Sequence, residues 1–280
     1  MVAGADYVRN SENPEGVHQL RVAIRRTRAA FSVVQRHVID APNLRIANDL
    51  RSLQGQLGGA REWDVLINET LDRAPKRLLN KTLSAHLQDI LEAKRAEAHK
   101  QANNALRDRR CTDLLLRLTH WVETELGSPR KGGSVNGGQA SDPLVAPARK
   151  FAATVIEDYH RKTCKLGRRI RTLEPANLHR LRIRVKKLRY STEFFATLWP
   201  HRKTKRYLSS LQHLQQALGT YHDTTMATNL MTSLVTTEES DIMPAVDSVV
   251  DWLSHEQQRQ HKEVIAVWKL FRKQKSFWKP

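Results

Sequence analysis

The stretch HQLRVAIRRTR, His18 to Arg28, sets one histidine and four arginines in eleven positions with no acid among them. Arginine offers paired donors to adjacent phosphate oxygens, lysine supplies a mobile point charge, and histidine gains a second donor at mildly acidic pH. That is chemistry for holding an extended anion. A second stretch, HRLRIRVKKLR from His179 to Arg189, repeats it. His18, Arg21, Arg25, Arg26 and Arg28 return 161 residues later as His179, Arg182, Lys186, Lys187 and Arg189.

Wound as a helix at about 100° per residue, His18, Arg21, Arg25 and Arg28 fall in a stripe about 80° wide. Val17, Leu20, Ile24 and Phe31 form the apolar stripe beside it, and Leu178, Leu181, Val185 and Leu188 do the same beside His179, Arg182, Lys186 and Arg189. Each helix is therefore expected to anchor in a core and present a row of cations along one edge. A solvated charge face would intersperse acids at three- or four-residue spacing, because like charges there repel. No acid occurs from Val17 to Gln35 or from Ala176 to Thr192, and His160 to Tyr190 holds twelve Lys or Arg against Glu174 alone. Two histidines beside arginines should be neutral when empty and protonated on an anion, so binding should strengthen at mildly acidic pH.

Further cations are candidates for the same anion: Arg26, Lys94, Arg149, Lys150, Arg161, Lys165, Arg168 and Lys187. Lys187, with Arg180 and Arg184, points away from the His179 stripe and suits an outer face. The whole chain supports a polyanion as partner, with 47 Lys and Arg against 29 Asp and Glu and a formal charge of +18 in 280 residues. Its 40% hydrophobic content is ordinary for a chain that buries a core. The two cysteines, Cys111 and Cys164, form neither a disulfide framework nor a zinc motif. No window approaches the roughly 20 apolar residues of a membrane span, and the start lacks a signal-peptide run, which together predict a soluble cytoplasmic protein.

Three-and-four spacing of apolar residues recurs almost throughout, so the chain is expected to be all-α. Helices are predicted from Pro14 to about Val38, from Leu44 to Gln56 with Leu57 to Gly59 as terminator, through Val65 to Asp72, from Leu78 to Arg107, and from Arg109 to Leu126. Gly127 to Pro143 reads as a linker. Helices resume from Pro147 to Thr172, from Asn177 to Leu198 and from Lys203 to Leu218, stopped there by Leu218-Gly219. Asp223 to Thr236 and Pro244 to Phe271 complete the series.

The offset that relates the basic stretches also carries Leu57-Gly58 and Arg61-Glu62 onto Leu218-Gly219 and His222-Asp223. One offset for two separated motifs indicates duplication. The expected architecture is two pseudo-symmetric antiparallel four-helix bundles packed around a basic central cavity. Residues 1–126 and 147–280 form the halves and 127–146 the linker.

Four segments together resemble the CHAD domains, the conserved-histidine α-helical family: VHQLRVAIRRTRAAF, LGGAREWDVL, LHRLRIRVKKLRYSTEFF and LGTYHD. The resemblance extends over essentially the whole chain. It implies two four-helix bundles with a basic cavity that binds inorganic polyphosphate. His18, Arg21, Arg25, Arg28, His179, Arg182, Lys186 and Arg189 carry over as lining residues, and polyphosphate granules as a place of residence. No cofactor is implied. Family members are often fused to a triphosphate-tunnel domain marked by an ExExK strand; this chain has neither the motif nor room for it. Thr225 stands where the first half has Asp64, so the repeat is imperfect.

Two other chemistries compete. A metal-dependent polyphosphate or phosphoester hydrolase would draw on His18, His179, Glu62, Asp64 and Asp223, but no HExxH or compact carboxylate cluster is present, and dense cations oppose a metal. Glu62 and Asp223 are read instead as helix caps or partners of a basic side chain. Nucleic acid is disfavoured as a specific partner, because Trp63, Trp121, Trp199, Trp252, Trp268 and Trp278 do not interleave with the basic rows as a stacking platform would. They are read as core, Trp278 least firmly.

Overall fold

The computed structural model describes residues 14–37, 44–75, 78, 85–126, 148–235 and 242–279. The described residues are all-α, as expected. In chain order the helices are α1 (Pro14–His37), α2 (Leu44–Gln56), α3 (Gly58–Val65), α4 (Ala85–Arg107), α5 (Arg109–Trp121), α6 (Ala148–Leu166), α7 (Pro175–Phe194), α8 (His201–Val235) and α9 (Met243–Arg272). Short π or 3-10 segments follow α3, α5, α6 and α7. The expected linker from Gly127 to Pro143 lies outside the described residues.

Two compact units emerge. One comprises Met1–Gly59 with His99–Ala152, the other Ala60–Ala98 with Ala153–Pro280. In the first, α1 packs on α2 and α2 on α5. Val17, Leu20, Ile24 and Phe31 are buried with Ile46, Leu50 and Leu53 of α2 and Leu114 of α5. The Phe31 and Trp121 rings lie 4.6 Å apart. Arg117 of α5 reaches Asp49 of α2 at 2.8 Å.

In the second unit α8 packs against α7, α9 and the π segment 66–70. Trp63, Leu66, Leu71, Leu87 and Leu91 share one core with Ala227, Met231 and Leu234 of α8 and Val246, Val249 and Leu253 of α9. A buried carboxylate ties α3 to α4: Asp64, only 2% exposed, accepts from Arg95 Nε at 2.8 Å. Helix α7 starts where the sequence stops its predecessor, with Glu174 extended and Pro175 in the first turn, a position that needs no N–H. Its buried residues include Leu178, Leu181, Val185 and Leu188.

The first Leu-Gly terminator holds, since α2 ends at Gln56 as expected, and the second fails. At the first, Leu57 makes a one-residue turn, its N–H still donating to Leu53 O at 3.1 Å, and a new helix begins at Gly58. At the second, α8 runs unbroken through Gly219, so the two predicted helices are one. A glycine stop needs a left-handed residue, and no described residue has positive φ. Leu214, Ala217, Leu218, Tyr221 and Thr224 are buried on both sides of Gly219. Packing of that face outweighs the roughly 1 kcal/mol by which glycine disfavours a helix. Two threonines that follow satisfy their hydroxyls within the helix: Thr225 Oγ1 donates to Tyr221 O at 2.9 Å and Thr228 Oγ1 to Thr224 O at 3.1 Å.

Candidate functional site

In the first unit α1 presents Arg21, Arg25 and Arg28, all half-buried, beside buried Val17, Leu20 and Ile24. Two of them are held by the end of α2. Arg21 Nη1 donates to Gln54 O at 2.8 Å, and Arg28 Nη1 donates to Gln54 Oε1 at 2.7 Å. Burial and, second, the neighbouring Arg51 guanidinium push the Arg28 pKa down. Like charge is crowded here, which disfavours the charged form of the Arg28 guanidinium. The side chain of His18 lies outside the described residues. Arg26 is exposed.

In the second unit His179, Arg182, Lys186 and Arg189 are all half-buried along one edge of α7. Helix α8 lays His222, Asp223 and Gly219 against them. His179 Nδ1 and His222 Nδ1 share a hydrogen bond at 3.2 Å, with ring centroids 4.4 Å apart. Arg182 Nη2 stands 3.8 Å from Asp223 Oδ1. A Cβ on Gly219 would lie 3.9 Å from Arg182 Nε, so the arginine passes directly over the glycine. Arg189 lies 3.4 Å from Glu193 Oε1, and its guanidinium carbon is 5.2 Å from the Tyr190 ring centroid.

The electrostatics follow from burial and crowding. Burial, then Arg182 and Lys186, pushes the His179 pKa down. Burial, then Arg182, His179 and Lys186, pushes His222 down to about 3. Asp223 moves upward, chiefly through burial; Glu69 adds to the rise, while Arg182, Lys186 and Arg61 oppose it. The cluster is therefore rich in donors, and its lowered pKa values keep the two histidines neutral near pH 7.

His222, Asp223 and Arg61 are the residues that sequence reasoning underweighted. His222 and Asp223 stand at the 161-residue repeat of the Arg61-Glu62 pair, and of the two roles expected for Asp223, helix cap or partner of a basic side chain, the second is present. With α8 continuous, Asp223 caps no following helix and instead faces Arg182. Glu62 likewise sits inside α3, and Arg61 pairs with Glu69. The supplementary cations differ in setting. Lys94 is half-buried on α4; Arg149, Lys150, Lys165, Arg168 and Lys187 are exposed. Arg161, also exposed, pairs with Asp158 at 3.3 Å.

Among the described residues no three His, Cys, Asp or Glu side chains are grouped to hold a metal ion, and no helix is long and apolar enough to cross a membrane. Cys111 and Cys164 are free thiols. Burial pushes the Cys164 thiol pKa up, the setting of an inert thiol.

Comparison with known proteins gives a consistent result. Residues 1–232 match the family model described as the CHAD domain. The crystal structure of the CHAD domain from the plant Ricinus communis is similar at a TM-score of 0.77 and 29% identity. That likeness covers 98% of this chain and 86% of the other. No curated protein matches the chain significantly.

Proposed function

Because the chain belongs to the CHAD domain family, we propose that it binds inorganic polyphosphate, without catalysis, through the cation rows of α1 and α7. The observation that carries this reading is the row His179, Arg182, Lys186 and Arg189, half-buried beside a buried apolar stripe with neutral histidines among the cations. Exposed ion pairs contribute about 0–1 kcal/mol each, so a repeating phosphate chain that engages many half-buried cations at once is the ligand that suits such a row. His18, Arg21, Arg25 and Arg28 form the equivalent row of the other half. Residues 1–126 and 147–280 are the duplicated halves, with 127–146 as linker. The basic cavity implied by the resemblance and residence in the cytoplasm on polyphosphate granules are parts of this proposal.

The test neutralises Arg21, Arg25, Arg182 and Lys186 together as glutamines. Polyphosphate affinity should fall on the order of a hundredfold, about 3 kcal/mol, while the helical circular dichroism is retained. Full-strength binding by the folded variant would sink the site. Two further arms address the rivals. Shortening of the polyphosphate chain with Mg²⁺ or Mn²⁺ would make the protein a hydrolase. Displacement of polyphosphate by RNA or DNA at lower phosphate-equivalent concentration would make it a nucleic-acid binder.

A further inference from the structure

The contact between His179 and His222 joins like atoms: Nδ1 faces Nδ1 at 3.2 Å. A neutral imidazole has one N–H and one lone pair. One ring must therefore carry its proton on Nδ1 and donate, while the other keeps a bare Nδ1 and accepts. The tautomers are opposite. The donating ring is left with a bare Nε2, and the accepting ring with an Nε2–H.

We propose that these two residues act as one proton-sharing anion ligand, in which His222 joins the phosphate site and the pair takes up a single proton from solvent when phosphate binds. This rests on the polyphosphate reading above and deepens it. The added proton goes to the bare Nε2 of the donating ring. The inter-ring hydrogen bond survives and becomes charge-assisted, the pair passes from neutral to +1, and both Nε2 atoms are now donors. A second proton would have to take the lone pair already engaged at Nδ1 and set two N–H groups head to head. The pair refuses it.

The surroundings fit this limit. Arg182 and Lys186 from α7 act on both rings and oppose protonation in the empty site. Asp223 follows His222 on α8 and faces Arg182; Arg61 of α3 and Glu69 of the π segment after it act on Asp223. From α9, His261 lies against Tyr221, its Nε2 3.3 Å from Ile170 O. An arriving phosphate offsets Arg182 and Lys186 and accepts from the new Nε2–H, so the energy that discouraged the proton is removed by the ligand that needs it. Both rings are half-buried, neither sealed in the core.

The test is nitrogen-15 NMR of the histidines in the full chain, with His179→Gln and His222→Gln for assignment. Without ligand near pH 7, one ring should report Nδ1–H and the other Nε2–H. Adding linear long-chain polyphosphate near pH 6 should protonate both Nε2 atoms with an uptake of one proton by the pair. Each single variant should remove all of that uptake, and the double variant should remove no more than either. Like tautomers in the free protein, uptake of two protons, no uptake at all, or additive losses in the variants would each overturn the proposal. Wild-type protein that shows opposite tautomers yet does not bind polyphosphate overturns the polyphosphate reading and the anion role with it, leaving only the shared proton.

Discussion

Arg28 of α1 donates from Nη1 to Gln54 Oε1 of α2 at 2.7 Å, so a cation of the proposed ligand row is steered by a neutral side chain on another helix. Gln54 has no charge to attract an anion, yet it fixes where the guanidinium points and spares that ordering at the moment of binding. Gln54→Ala should lower polyphosphate affinity roughly two- to fivefold, the worth of one hydrogen bond at about 0.5–1 kcal/mol. Arg21 keeps its bond to the Gln54 backbone carbonyl in that variant. Titration by calorimetry reads the effect; unchanged or tighter binding would remove Gln54 from the positioning role.

Two glycines in the second unit should respond to alanine in opposite ways. At Gly167 a Cβ would meet Trp268 Cζ2 at 2.2 Å, well inside contact distance, where α9 crosses the end of α6. Gly167→Ala should cost about 1–3 kcal/mol through overpacking. At Gly219 the nearest atom is Arg182 Nε at 3.9 Å, an ordinary contact, and the backbone is helical. Gly219→Ala should stabilise by about 0.5–1 kcal/mol through helix propensity. Urea unfolding midpoints should move in opposite directions, and equal shifts of one sign would contradict the packing described.

Helix identity and the core stripes were legible because they rest on local rules. The break at Glu174-Pro175 precedes α7 as expected, although the helix starts at Pro175 rather than Asn177 and ends at Phe194, with a 3-10 turn reaching Leu198, and Leu178, Leu181, Val185 and Leu188 are buried as their spacing required. The stop at Leu57 held, with α2 ending at Gln56, but the one at Leu218-Gly219 misled because a glycine ends a helix only where its carbonyls find other partners, and burial of Leu218 and Tyr221 kept the chain helical. The His179 row was visible on one helix. Its completion by His222 was not, since no single-helix pattern tells which residue of α8 will cross α7. The assignment of Trp63, Trp199 and Trp268 to the core agrees with their burial, and so does that of Trp278.

Trp278 makes its own case for energetic weight. It is 5% exposed, its Nε1 donates to Glu157 Oε2 of α6 at 2.8 Å, and its ring sits 5.0 Å from that of Tyr207 and 5.3 Å from that of His160. Trp278→Ala should destabilise by about 3 kcal/mol through the cavity it leaves. Trp278→Phe keeps most of the ring and loses the donor, for about 1 kcal/mol. Polyphosphate binding by the folded Trp278→Phe protein should match wild type, because Glu157, His160 and Tyr207, against which Trp278 packs, belong to neither cation row. A loss of binding beyond the loss of folded protein would show that the aromatic cluster and the site are coupled.

The histidine pair also sets how stability depends on acid. In the folded protein His222 is pushed down to about 3 and His179 is lowered, whereas unfolding returns each to the ordinary histidine range near 6.5. The unfolded chain therefore takes protons that the folded chain refuses. The stability present above about pH 6.5 is lost progressively as pH falls towards the folded value. Asp223 works the other way, since its raised pKa lets the folded state accept a proton earlier and relieves a buried charge. The downward shift of His222 is the larger effect, so wild-type urea midpoints should fall between about pH 7 and about pH 5. His222→Gln should flatten that slope while leaving the neutral-pH end close to wild type. Saturating polyphosphate should flatten it too, because a ligand that brings a proton into the folded state removes the advantage of the unfolded one. A His222→Gln profile parallel to wild type would assign the acid sensitivity to other groups.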